Sequence, residues 1–188
     1  MEKEVARSQQ PVARIFLEES IKSFRGLKSN SEKAMEQLSD SEMHWAFNEE
    51  SNSIVIIMKH LAGNMISRWT DFLTTDGEKE NRNRDGEFED DFKTRAQLME
   101  FWNKGWQVFL DTLNNLTEAD LLKTVYIRKE PHTVIRAIQR QLAHYAYHCG
   151  QIVYVAKQIK GKDFKTLSIA RGESSKFVTA PPQANSNV

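Results

Sequence analysis

"PHTVIRAIQRQLAHYAYHCGQIVYVAKQIKG", residues 131–161, decides the fold. Its apolar side chains fall at Ile135, Ile138, Leu142, Tyr145, Cys149, Ile152, Ala156 and Ile159, alternating by three and four. That alternation is a heptad seam, the pattern of a long helix packed along one face. Pro131 suits a first helical turn and Gly161 a C-terminal stop. The spacing predicts a helix over 131–160.

Working outward, the same period recurs three times. Ile54, Met58, Leu61, Met65, Trp69 and Phe72 predict a helix over 51–74, with Ser51 as N-cap. Leu98, Trp102, Trp106, Phe109, Leu113 and Leu116 predict one over 94–116, and its tryptophans read as core. A looser stripe from Ile15 and Phe16 to Met35 and Leu38 predicts a helix over 11–38, with a kink near Gly26 or residues 29–31. "TVYIRKE", 124–130, is extended in character but too short for a sheet of its own. Four helices with few interrupting glycines or prolines make an all-α four-helix bundle the expected fold.

Composition bounds the function. The chain has 188 residues, 26 basic and 26 acidic, with no net charge. A chain of this size buries roughly 70% of its unfolded surface, enough for one domain with a real core. The charge balance argues against nucleic acid as a partner, because such proteins carry a basic excess. "MEKEVARSQQPVARIF" at the start lacks the apolar stretch of a secretory signal, and no apolar run approaches the roughly 20 residues that span a bilayer. The expectation is a cytoplasmic protein without a membrane partner. "TDGEKENRNRDGEFEDDF", 75–92, is charged and aperiodic and reads as a long loop, of which Glu78–Asp91 is able to cover a pocket. Its Arg82 and Arg84 are candidates for meeting an anionic thiol or substrate. Beyond Gly161 the period is lost. Phe164, Leu167, Ile169 and Phe177 read as docking on the bundle or a second subunit, and the chain from Thr179 as a disordered tail. The division is 1–167 for the bundle and 168–188 for the tail.

The chemistry concentrates in the last helix. His144 and His148 are one turn apart and can reach one cation. Three protein ligands with an open position make the usual catalytic zinc site. Among the other histidines, His44 precedes the second helix and His132 lies too far along the last one. His60 sits beside the second seam as His148 sits beside the fourth, so it is the third candidate. An ordinary helix histidine remains the other reading of it. Cys149 lies on the seam and reads as core, and His148 points about 100° away from it, a poor geometry for activating a thiol nucleophile. Asn64 and Gln141, each one turn from a histidine, are candidates to orient it. Glu49, Glu50 and Asp71 are candidates for a general base.

"NSIVIIMKHLAGNM", 52–65, followed by "HYAYHCGQI", 144–152, resembles the DinB-like superfamily. The similarity is greatest to a bacterial branch carrying "RWTDFLTTDGEKENRNRDGEFED" before "IRKEPHTVIRAIQRQLAHYAYHCGQIVYVAKQIKG". It covers roughly residues 16–167. The resemblance implies a four-helix bundle of up-down-down-up connectivity. It implies a divalent metal, zinc or nickel, held by His60, His144 and His148, and a homodimer. Relatives include thiol-dependent transferases and a mycothiol-dependent isomerase. The implied function is a metal-dependent enzyme, a thiol transferase or hydrolase, acting on a small molecule with a low-molecular-weight thiol. The alternative is a non-catalytic metal-binding stress or interaction protein.

Overall fold

The computed structural model describes residues 11–176, and they are mostly helical. Helix α1 spans Val12–Met35, the short α2 Asp40–Met43, α3 Ile54–Trp69, α4 Arg95–Asn115 and α5 Val134–Lys160. Strands β1, Thr124–Ile127, and β2, Glu130–Thr133, pair antiparallel just before α5. The long helices share one core. Helix α3 packs most extensively on α4, and α1 on α5. Phe24, Trp69, Trp106, Phe109 and Tyr145 interlock edge-on or tilted at its centre. Trp102 and Trp106 are fully buried, as core residues should be. Gly105 lets α4 close on α3: a Cβ there would stand 2.7 Å from the Ala62 Cα.

Hydroxyl caps set three of the helix starts. Ser53, Thr94 and Thr133 accept from the backbone N–H of Ile56, Gln97 and Arg136 respectively. Two expected starts are therefore corrected. Ser51 is spent in the preceding turn, where its hydroxyl donates to Asn48 at 2.7 Å, so Ser53 caps α3. Pro131 is not in a helix; it lies in β2 opposite Tyr126. Helix α3 also ends earlier than the apolar stripe, because Thr70 turns extended and Asp71 takes a positive φ of 49°. Phe72 still packs on Trp69 from outside the helix, with ring centroids 4.4 Å apart. Helix α1 is continuous through Gly26 and residues 29–31.

The hairpin turn matters for the site. Arg128 and Lys129 both have positive φ, 55° and 64°, the backbone of a tight two-residue turn made without the usual glycine or asparagine. The Asp76 carboxylate holds it open, accepting from the N–H groups of Arg128 at 2.9 Å and Lys129 at 2.7 Å. Burial pushes this carboxyl up, but the backbone donors outweigh it and keep it below its ordinary value. Gly77 N–H adds a bond to the Tyr126 carbonyl at 2.8 Å. The connection between α3 and α4 is thereby tied to the hairpin, and Arg128 is carried toward α5.

Gly161 ends α5, with φ 54°. Phe164 and Leu167 then pack partly buried against the chain's own core, and Gln37 bonds both backbone groups of Lys165. Ile169 is exposed. Phe177 and the expected tail from Thr179 lie outside the described residues. Among the described residues no helix is long and apolar enough to cross a membrane.

Candidate metal centre

Helix α3 presents His60 and helix α5 presents His144 and His148 to one point. One ring nitrogen from each lies within 4.8 Å of the others. Ring centroids are 4.8 Å apart for His144 and His148, 5.0 Å for His60 and His148, and 5.4 Å for His60 and His144. His60 is buried and the other two are half-buried. Phe88 stacks on the His60 ring at 5.0 Å.

Each ring's second nitrogen has a partner. His60 Nδ1 faces the Glu87 carboxylate at 3.0 Å. Glu87 is itself buried and gripped by Arg82, whose Nε and Nη2 donate at 2.7 Å and 2.8 Å. Burial raises the Glu87 carboxyl, but His60 and Arg82 outweigh that and hold it below its ordinary value. Glu87 thus stays ionised and keeps the His60 proton on Nδ1. His148 Nδ1 faces the Gln151 amide oxygen at 2.7 Å, which places its proton there too. An imidazole with its one proton on Nδ1 offers a free lone pair at Nε2. Burial, reinforced by the neighbouring histidines, pushes His144 down to about 3. Burial also lowers His148, against the Gln151 bond. Both rings are neutral at neutral pH.

The donor set fits a divalent ion. Two nitrogens each about 2.0–2.1 Å from zinc at a tetrahedral angle lie roughly 3.3–3.4 Å apart. His60 Nε2 and His144 Nε2 are 3.3 Å apart. The cluster offers three candidate ligands among the described residues, fewer than a closed structural site uses. Gln141 is the one element turned the other way. Its Nε2 donates to His144 Nδ1 at 2.9 Å, while its Oε1 accepts from Arg68 Nη1 at 3.1 Å. With that orientation His144 carries its proton on Nε2 and donates it to His60. Holding an ion through His144 Nε2 requires an acceptor, not a donor, at Nδ1. Asn64 holds the same amide nitrogen of Gln141 at 2.9 Å. Both candidate orienting residues therefore belong to the network.

Other expected residues stand elsewhere. His44 pairs with Asp90 at 2.9 Å, and His132 lies in β2, 3.9 Å from Glu130. Glu49, Glu50 and Asp71 are exposed. Cys149 is buried in the core, its thiol pushed up by burial to about 11. Glu87 was missed. Its one readable trace is Gly63, one turn past His60 in an apolar helix, where a Cβ would stand 2.4 Å from Glu87 Oε1.

Two cavities flank this network. One of about 190 Å³ is lined by His60, Asn64 and His144 together with arginines. A larger one, about 610 Å³, lies between α3 and the charged loop; Glu87 and Arg82 line it but none of the three histidines does. The smaller cavity is the one that touches the candidate ligands.

Residues 11–173 match the family described as "Protein of unknown function (DUF1572)", and the chain belongs to that family. No curated protein matches the chain.

Proposed function

We propose that this DUF1572 member is a DinB-like four-helix bundle of up-down-down-up connectivity whose His60, His144 and His148 hold one divalent ion, zinc or nickel. The activity we propose is enzymatic: transfer of a low-molecular-weight thiol to a small electrophile, with hydrolysis as the variant in which water replaces the thiol. The observation that carries the reading is the convergence of three imidazole nitrogens from α3 and α5 within 4.8 Å. When bound, such an ion lowers the pKa of a thiol or water in its open position toward neutrality.

The chain's own residues do the rest. Glu87 fixes the His60 tautomer and its ring, and Arg82 keeps Glu87 ionised. Gln151 does the same for His148. Glu87 is fully engaged by His60 and Arg82, so it is a positioning residue and not a free base. Cys149 has no part in the chemistry. The proposed homodimer would use a face other than Phe164 and Leu167, since these pack on the chain's own core.

The test is a thiol-transfer screen on native, metal-analysed protein. Thiol addition to an electrophile should occur with the metal and stop on chelation. A metal-loaded protein that accelerates no thiol addition and no hydrolysis would leave the non-catalytic metal-binding reading.

A further inference from the structure

The smaller cavity has an unusual lining for a chain with no net charge. Five arginines reach it from four segments: Arg68 from α3, Arg82 and Arg84 from the charged loop, Arg128 from the hairpin turn and Arg140 from α5. Two carboxylates answer them. Glu78 pairs with Arg82 at 3.1 Å and Arg128 at 3.2 Å, and stands 3.7 Å from Arg68. Glu87 is taken by Arg82 and His60. Five guanidiniums against two carboxylates leave three positive charges over at one small site.

Those charges are not all idle surface groups. Arg68 is only 4% exposed, and its Nε is buried without an acceptor. A buried unpaired guanidinium N–H is costly, and native proteins keep few of them. Arg84 and Arg140 line the same cavity and form no side-chain ion pair or hydrogen bond among the described residues. Asp76 meanwhile holds Arg128 at the rim through a strained turn. Planar guanidinium forks match the oxygens of phosphate and carboxylate better than any other partner.

We propose that this cavity binds a doubly charged oxyanion group of the small-molecule ligand, a phosphoryl or dicarboxylate end, through Arg68, Arg84, Arg128 and Arg140. A dianion offsets most of the excess of three charges, and a neutral ligand none. At about 190 Å³ the cavity is smaller than the roughly 300–1,000 Å³ of whole-ligand pockets, so it takes an end group. His60 and His144 line it as well, so the rest of the ligand lies against the histidines. The anion site deepens the proposed function and rests on it for its catalytic meaning; its binding test does not need the metal.

Full-length protein is freed of metal by a chelator, dialysed free of the chelator, and titrated calorimetrically at low salt with inorganic phosphate and with succinate. At least one should bind in the millimolar range or tighter, and the preferred one tells phosphoryl from carboxylate. The double variant Arg84→Gln/Arg140→Gln should fold normally, because neither side chain has a partner to lose, and should bind roughly tenfold more weakly or worse. His148→Ala, which removes a candidate metal ligand but does not line the cavity, should keep the anion. Metal content measured on the same samples shows whether the metal reading fails separately. The proposal is overturned if neither probe binds, if the double variant binds them as wild type does, or if binding appears only with metal and disappears in His148→Ala.

Discussion

Replacing Glu87 by alanine should free the His60 proton to move from one ring nitrogen to the other. Glu87 accepts from His60 Nδ1 at 3.0 Å and from Arg82 at 2.7 Å and 2.8 Å. His60 Nδ1 and Arg82 Nη2 share one carboxylate oxygen, and Arg82 Nε takes the other. Alanine leaves His60 Nδ1–H with no acceptor, so nothing keeps the proton there. On Nε2, the nitrogen that faces His144, the proton occupies the lone pair needed for the ion. Outer partners of this kind are worth about 10–100-fold in metal affinity, and breaking a buried pair costs about 3–5 kcal/mol of stability. Competition against a chromophoric chelator reads the first, and urea unfolding the second. Glu78→Gln is the control: it weakens the same Arg82 but touches no histidine, so it should lower stability and leave metal affinity near wild type. If Glu87→Ala loses stability but binds metal as wild type does, the tautomer argument is wrong and Glu87 is only a structural ion-pair partner.

The other expectations concern neighbouring residues. Gln141→Glu should bind metal at least as tightly as wild type, since a carboxylate accepts from both Arg68 and His144 Nδ1–H; the same competition assay compares the two. Cys149→Ser should cost about 1–3 kcal/mol by urea unfolding, through a hydroxyl buried in the core, while metal affinity and any activity of the folded protein persist. Metal-free protein should weaken in acid. His144 and His148 are held neutral in the fold but titrate near 6.5 when unfolded, so the unfolded chain takes up more protons below that pH. Their contribution is complete above about 6.5 and is lost as pH falls toward the His144 value of about 3; unfolding midpoints that stay level across that range would contradict it.

Periodic segments were legible because burial imposes the period. The seam from Ile138 through Tyr145 and Cys149 to Ala156 is buried as read. Boundaries were less legible. Ser51 and Ser53 have the same side chain, and only the turn geometry decides which one caps α3. The hairpin escaped because its turn is built from Arg128 and Lys129, whose positive φ is maintained by the distant Asp76 and not by a local glycine. At the candidate site the three histidines could be picked out, since two lie on one helix turn and the third beside an apolar seam. Glu87 could not, since an aperiodic loop brings it across 27 positions to His60. The arginine lining was equally hidden. Its members come from two helices, a loop and a turn, and only the fold brings them together.

The central claim is that His60, His144 and His148 together hold one divalent ion. The most direct measurement is metal analysis of protein purified without metal-affinity steps, with X-ray absorption on the same sample. The expected result is one ion per chain, nitrogen ligands at about 2.0–2.1 Å for zinc, and loss of the ion in each single His→Ala variant of the three. A folded chain that takes up no divalent ion, or one whose ion is unaffected by those substitutions, would contradict it.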